Sequence, residues 1–490
     1  MTVNSAAFMP DIPAAACVDE GGVDHAASLD RLEAAVHRDL DLIRYPIKSW
    51  VLPKTSPDGG HVFDVAIAGG GQSGLAAAFG LIRQRVNNIL VIDENPPGFE
   101  GPWDTYARML TLRTDKFVGG MELGLPALSL RAWFEAQYGR PAWDAMDKLP
   151  RDLQSRYLAW YRRVLNLPVR NQCRLTSFRH GPDGLIALTV EPAGTLWCRK
   201  LIFATGIEGN GARGTLPFID ALPRPYWAHT GDAIDFARLR GKRVAVLGGA
   251  ASAFDNAAAA AEAGAARVDL FHRRAELNQA NPVAWAQFNG FLAHYPDLDP
   301  AQKWRFMHHI LAFNPAPPAD TMDRVARLPT IARHPGTAWT GARFNGGDIT
   351  IETTRGSHDT DFAILGVGYI VDLTARPELR PHLSEIALWQ DVYTPPPGLE
   401  NVGMSRSPFL GSHFEFQEKQ PGRAPWLRSV FNFSRGAQVS MGSMPIGLSG
   451  VGFGVPRLVE GVCRQLFTED ADLYEVGMKA WQSSGVVTNA

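Results

Sequence analysis

The stretch His61–Asp93, HVFDVAIAGGGQSGLAAAFGLIRQRVNNILVID, constrains the fold of this chain more than any other. Val62 to Ala68 is a short apolar run rich in β-formers. Gly69, Gly71 and Gly74 follow in G-x-G-x-x-G spacing, Leu75 to Arg83 continues as a helix former, and Ile89 to Ile92 reads as a second strand closed by Asp93. Strand, glycine turn, helix, strand and terminal acid predict a dinucleotide-binding βαβ unit. The first glycine makes the tight turn. The second lets backbone approach a pyrophosphate, and the third lets the helix pack on the strand. The helix start at Gln72 and Ser73 offers free N–H groups and the positive dipole end to phosphates. Asp93, with Glu94 beside it, is placed to accept hydrogen bonds from ribose hydroxyls.

A second copy starts at Arg243. Val244 to Leu247 is its strand, Gly248, Gly249, Ala250, Ala251, Ser252 and Ala253 its turn, and the alanine-rich run to Ala263 its helix. The following strand, Val268 to Phe271, ends in His272, Arg273 and Arg274 rather than in an acid. Arginine at that place suits a 2′-phosphate, because guanidinium matches phosphate geometry. The second unit therefore reads as an NADPH site, with Gly248, Ala250 and Ser252 at the pyrophosphate. Ala250 stands where the pattern has its second glycine, so a methyl group lies at the closest approach to the cofactor.

The chain has 490 residues, enough for two or three domains. The net charge of −2 gives no electrostatic reason to expect nucleic acid or an acidic membrane. Four cysteines, Cys17, Cys173, Cys198 and Cys463, form no C-x-x-C, which argues against a zinc site or a dithiol redox centre. No apolar run is long enough for a membrane span, and the N-terminus lacks a signal-peptide pattern. The expectation is a cytoplasmic protein.

Residues 1 to about 27 read as a loose arm. Leu29, Leu32, Val36, Leu40 and Ile43 then fall on one helical face, with Ser28 as the expected N-cap. After Asp93 comes ENPPGFEGPWDTYARMLTLRTDK, a loop with Trp103, Arg108, Arg113, Asp115 and Lys116 at the carboxyl edge of the expected sheet, where ligands bind in such folds. Its cations are placed to face phosphate or a reduced, anionic flavin. Leu201 to Thr205 is a buried strand turned by Gly206. Asp361 to Tyr369, DFAILGVGY, echoes it and is read as the return to the first domain. Pro395 to Phe433 is long, irregular and aromatic-rich, which favours an ordered, functional segment. Gly442 to Gly454 is glycine-rich and leads into a helix over Pro456–Phe467, so Gly450 lies near a helix start that can face a flavin's pyrimidine edge.

GGGQSG at 69–74, Asp93, the G-P-W at 101–103, ATG at 204–206, GGAASAFD at 248–255 and VGY at 367–369 resemble the class B flavin monooxygenases, which comprise flavin-containing, Baeyer–Villiger and N-hydroxylating enzymes. The resemblance implies an α/β fold of two Rossmann-like dinucleotide-binding domains, the NADPH domain inserted into the FAD domain. Residues 1–60 would be arm and helix, 61–206 and 359–490 the two parts of the FAD domain, and 207–358 the NADPH domain. FAD would lie on Gly69, Gly71, Gln72, Ser73 and Gly74, with Asp93, Glu94, Trp103, Arg108, Lys116, Thr205, Gly206 and Gly450 around it. NADPH would lie on Gly248, Ala250 and Ser252 with its 2′-phosphate on Arg273 or Arg274. In such enzymes NADPH reduces FAD, O₂ adds to reduced flavin as a C4a-(hydro)peroxide, and oxygen passes to a small organic substrate. Arg113, Asp115 and His229 are the candidate catalytic residues.

The F-x-G-x-x-x-H fingerprint of flavin-containing and Baeyer–Villiger enzymes is absent. Pro223 and Pro225 occupy its Phe and Gly positions ahead of His229. That departure favours N- or S-oxygenation over a ketone-to-ester reaction. A Baeyer–Villiger enzyme, a non-oxygenating flavin NADPH oxidase or dehydrogenase, and a binding protein stabilised by its cofactor remain as alternatives. The expected partners are a small-molecule substrate and O₂, not nucleic acid or membrane, with homo-oligomerisation left open.

Overall fold

The computed structural model of the chain describes residues 25–313, 315–443 and 445–481, so most of the expected N-terminal arm lies outside the described residues. The first helix spans His25–Leu42. Ser28, expected as its N-cap, lies inside it, and its hydroxyl accepts from the Arg31 guanidinium at 2.7 Å instead of capping a backbone N–H.

Strand β1 (Val62–Ala68), helix α1 (Gln72–Arg83) and strand β2 (Ile89–Ile92) form the first βαβ unit. All four residues of β2 are buried, as are eight consecutive residues of α1 from Gly74 to Leu81. Continuous burial of this kind belongs to parallel strands covered on both faces. Strand β3 (Gly194–Phe203) pairs in parallel with β1. The second unit repeats the plan: strand β4 (Arg243–Leu247), helix α2 (Ala251–Glu262), strand β5 (Arg267–His272) and strand β6 (Phe362–Leu365). Strand β7 (Val430–Asn432) then returns to the first sheet beside the carboxyl half of β3.

The two sheets share one order. In the first, Val169–Arg170, β2, β1, β3 and β7 run in parallel, with an antiparallel arm, Arg174–His180 and Ile186–Glu191, continuing from the amino half of β3. In the second, Ile331–Pro335, β5, β4, β6 and Trp227–His229 run in parallel. A three-stranded antiparallel sheet, Trp339–Phe344, Ile349–Thr353 and Gly356–Thr360, packs on the second, burying Ile349 and Ile351 with Phe271 and Leu365. The two crossings between the main sheets, Gly211–Arg213 outward and Tyr369–Val371 back, pair with each other as an antiparallel ribbon.

Two expectations shift. Phe362–Leu365, read as the return to the first domain, is the strand of the second sheet next to β4, so the 358/359 boundary falls too early. The echo of β3 has a structural meaning: β6 stands to β4 as β3 stands to β1. The C-terminal helix runs Val451–Glu469, with Gly450 as N-cap and Pro456 inside rather than at its start. Aromatic side chains after Asn281 fall in two environments. Tyr295 and Trp304 are core with Trp389, whereas Trp285 and Phe288 are exposed.

Buried charges concentrate where β1 and β3 pass the C-terminal helices. Arg199 reaches Asp470 at 2.8 Å, and Lys200 bonds Glu469 and Ser429. Asp64, on β1 and buried, is pushed up to about 6, mainly by burial and against the pull of Arg199. The folded carboxyl thus holds its proton more tightly than the unfolded one. As pH rises through about 4 to 6 the unfolded chain ionises first, and the share of stability due to Asp64 is lost. We expect Asp64→Asn to raise the unfolding temperature at pH 7.5, with the gain shrinking toward pH 4.5. A gain that is absent or independent of pH contradicts this account.

Candidate functional site

The first glycine turn is fixed by its own backbone. Gly69 has φ +113°, a conformation that side chains rarely adopt. Its N–H donates to Ile92 O at 2.7 Å, closing the turn against β2. A Cβ at Gly74 would overlap the Gly69 carbonyl, so helix and turn pack only without a side chain there. Gly71 is different. It is the N-cap of α1, and a Cβ on it would find nothing nearer than Gly101 at 3.7 Å. The open position in the turn is therefore the one that must admit a pyrophosphate. Asp93 is buried, and its carboxylate accepts from Gly70 N–H at 2.7 Å and from the Asn95 backbone at 2.8 Å. These bonds aim the acid at the turn.

Around this edge lie buried polar atoms that lack a hydrogen-bond partner among the described residues: Thr205 Oγ1, Ser449 Oγ and Asn432 Nδ2. Buried polar groups are nearly always paired. Thr205 ends the β3 crossover, Asn432 ends β7, and Ser449 precedes the Gly450 cap. Orphaned atoms along the carboxyl edge, together with the open Gly71, fit a dinucleotide. Gly206 (φ +68°) allows the chain to leave the edge sharply. Gln72 accepts from Gln154 at 3.3 Å, Ser73 donates to Ile446 O at 3.4 Å, and Trp103 packs on the first core. Glu94 is exposed and pairs with Arg174 at 3.5 Å.

The second turn reproduces the first. Gly248 (φ +149°) donates to Phe271 O at 2.8 Å as Gly69 does to Ile92. Ala250 caps α2 with φ −107° and ψ 170°, the extended conformation of Gly71 at the head of α1. Ser252 is exposed in the first turn of α2. The correspondence also places His272, not an arginine, where Asp93 stands: a Cβ on Gly249 would lie 3.4 Å from His272 Cβ, as one on Gly70 would lie 3.2 Å from Asp93 Cβ. His272 is buried. Its Nδ1–H donates to Arg274 O at 2.7 Å, which leaves Nε2 as a buried acceptor without a partner. Burial pushes its pKa down, favouring this neutral form. Arg273 is exposed and Arg274 half-buried beside it.

Five sequence candidates are held by protein partners. Arg113 pairs with the buried Asp255 of α2 at 3.0 Å, and Arg324 joins from the other side at 3.5 Å. This is a tie between the two units. Arg108 donates to Thr105 O at 2.8 Å and lies over the Phe236 ring. Lys116 donates to the carbonyls of Trp143, at 2.8 Å, and Met146, closing the end of helix Leu130–Ala145. His229 has both nitrogens engaged, Nδ1 accepting from Gly231 N–H at 3.0 Å and Nε2–H donating to Gly368 O at 2.9 Å. It ties strand Trp227–His229 to the returning crossing, and burial lowers its pKa. Asp115 accepts from Phe117 N–H at 2.8 Å in a local turn. Tyr106, Asn210 and Arg435 carry no motif in the sequence, and neither His272 nor Tyr369 is read there as a site residue. One group, Asp269, His334 and His358, has metal-ligand spacing, and Asp269 is already held there by Arg267 at 2.8 Å and His334 at 2.7 Å.

The two glycines of the first turn separate binding from folding. Gly71→Val should leave the apoprotein's unfolding temperature near wild type but abolish FAD uptake, read as flavin absorbance after gel filtration. Gly74→Ala should instead yield little folded protein. Normal FAD binding by Gly71→Val would remove the first turn from the site.

Comparison with known proteins agrees with this architecture. The pyridine nucleotide-disulphide oxidoreductase family pattern matches residues 66–287. All three described cysteines are free, so no disulfide accompanies that match. A FAD-dependent urate hydroxylase of Xanthomonas campestris pv. campestris is 43% identical over 447 residues, covering 90% of this chain and 94% of the relative. Among solved structures, an ornithine N-hydroxylase of Kutzneria sp. 744 matches at a TM-score of 0.64 with 16% identity, over 82% of this chain and 99% of that one. A flavin-containing monooxygenase from Stenotrophomonas maltophilia matches at 0.52 with 18% identity, over 82% and 98%. The chain belongs to the family of the FAD-dependent hydroxylase from Xanthomonas, within the flavoprotein monooxygenases built on two dinucleotide-binding domains.

Proposed function

We propose that this protein is an NADPH-dependent FAD monooxygenase whose substrate is urate or a closely similar anionic purine. The observation that carries the substrate class is the identity of 43% across 90% of the chain with a urate hydroxylase. FAD would rest on Gly69–Gly74 with its ribose on Asp93. NADPH would rest on Gly248–Ser252, with a ribose hydroxyl on His272 Nε2 and the 2′-phosphate on Arg273 and Arg274. When bound, FAD supplies the redox chemistry: it accepts hydride from NADPH and activates O₂. The chain's own part is to bind, orient and exclude water. Helix starts at α1 and α2 hold phosphates, the Arg113–Asp255–Arg324 tie fixes one unit against the other, and Thr205, Ser449 and Asn432 offer hydrogen bonds along the flavin edge. The domains would divide near 206 and again after Leu365. A nicotinamide-dependent enzyme with free cysteines suits the cytoplasm.

N- or S-oxygenation of a soft nucleophile is the second reading. The missing fingerprint at Pro223 and Pro225 and the fold of the ornithine N-hydroxylase favour it. Supplying urate or a set of primary amines to the FAD-loaded protein decides between them. We expect urate to accelerate NADPH oxidation severalfold with product formed and little H₂O₂. Acceleration by amines alone supports the second reading, and NADPH oxidation that releases only H₂O₂ supports an oxidase. Replacing Arg273 and Arg274 with Ala should raise the KM for NADPH about ten- to a hundredfold, the weight of one charge-assisted phosphate contact, and leave NADH nearly unchanged. Equal loss for both cofactors would give the arginines another role.

A further inference from the structure

Among the described residues, Arg435 is a guanidinium with no counter-ion. It opens the short turn Arg435–Ala437, three residues beyond the end of β7, at the carboxyl edge of the first sheet. It is half-buried, desolvated enough to lower its pKa, and its side chain makes no hydrogen bond or ion pair among the described residues. Tyr369, at the start of the returning crossing, lies within electrostatic reach of it. Tyr369 in turn shares its surroundings with Tyr106, Glu208, Arg213 and Asp232. The two acids in that set are already taken. Glu208 pairs with Arg213 at 2.8 Å, and Asp232 pairs with Arg213 and with Arg224 at 2.7 Å. Two carboxylates against two guanidinium groups cancel, and Arg435 adds a positive charge that none of them neutralises.

The neighbouring groups are donors as well. The phenols of Tyr106 and Tyr369 are half-buried, make no hydrogen bond among the described residues, and are held protonated by burial. Asn210 has its amide oxygen fixed by Gly436 N–H at 3.2 Å and by the Ser434 hydroxyl, which leaves its Nδ2 buried without a partner. A desolvated charge without a partner is costly, and charged side chains are rarely buried unless paired. A planar fork of donors beside two phenols and an amide N–H₂ complements a flat anion with adjacent oxygen acceptors. The phosphate needs of both dinucleotides are met elsewhere, at the starts of α1 and α2 and at Arg273 and Arg274.

We propose that Arg435, with Tyr106, Tyr369 and Asn210, forms the subsite that binds the anionic, carbonyl-bearing edge of the substrate. It rests on the reading of the protein as a monooxygenase of an anionic purine and names the residues that would select that class. Arg435 orients the anion by a paired contact, and the phenols and amide complete its oxygen acceptors. A neutral analogue lacking ionisable N–H groups would leave the guanidinium buried and unpaired and would bind poorly.

The test uses FAD-loaded wild type, Arg435→Ala, Arg435→Gln and Arg435→Lys. Flavin absorbance changes report binding of 8-azaxanthine, a planar purine anion, and of caffeine, its uncharged comparator. FAD content and the KM for NADPH are measured on the same samples. We expect wild type to prefer 8-azaxanthine, Arg435→Ala and Arg435→Gln to weaken it about ten- to a hundredfold without affecting caffeine, and Arg435→Lys to recover part of the loss. Equal 8-azaxanthine affinity in wild type and Arg435→Ala overturns the proposal, as does absence of anion binding by wild type. Loss of FAD or a raised KM for NADPH with unchanged anion affinity would assign Arg435 to a cofactor and overturn it too. Wild type that binds the anion through Arg435 but does not oxidise urate would sink the functional reading alone.

Discussion

The structure depends on one close contact, the Gly69 carbonyl against the Cα of Gly74. No side chain fits between them. That contact brings the start of α1 down onto the end of β1 and turns its free N–H groups outward at the carboxyl edge of the sheet. Everything functional follows from this placement. β2 delivers Asp93 beside the same edge, Thr205 stands there two residues past the end of β3, and β7 ends there in Asn432. The second unit reaches the same geometry with different residues, Gly248 packing against Ala253 and the Gly366 carbonyl. One backbone solution is used twice, and the chain between the copies returns as a paired ribbon.

Within this shared frame the differences carry the specificity. Asp93 at the first edge is an acceptor-only group held by Gly70 and Asn95. His272 at the second is a neutral acceptor whose tautomer is fixed by Arg274 O, followed at once by two arginines. Gly71 leaves its turn open, whereas Ala250 places a methyl group at the equivalent cap. These differences support the proposal that the first edge takes FAD and the second NADPH. The Asp255 tie to Arg113 and Arg324 links the two units, because Asp255 lies on the helix of the second turn and Arg113 on the loop after the first βαβ unit.

The turns were legible because their glycine spacing is imposed by local backbone sterics. β1, β2, β4 and β5 were legible because strands buried on both faces leave continuous apolar runs. The roles of the cations after Asp93 were not legible. Lys116 finds its partners at Trp143 and Met146, and Arg113 finds Asp255, so each charge that looked available is claimed by a distant part of the chain. Arg435 is the reverse case. It reads as an ordinary polar residue in FNFSRGAQ, and only the assembled ribbon shows that Arg213 and Arg224 have already taken the nearby acids. β6 was assigned to the wrong sheet because a strand's sequence does not say which copy of a repeated unit it joins.

On the proposed function, oxygen from O₂ is transferred to a purine bound beside the flavin edge and Arg435. The most direct measurement is mass spectrometry of the product formed from urate, NADPH and ¹⁸O₂ by the FAD-loaded protein, beside a control in H₂¹⁸O with ordinary O₂. The account predicts one ¹⁸O atom in the hydroxylated product from ¹⁸O₂, with one NADPH consumed per product. Label that enters only from water, or NADPH consumption matched by H₂O₂ rather than product, would contradict it.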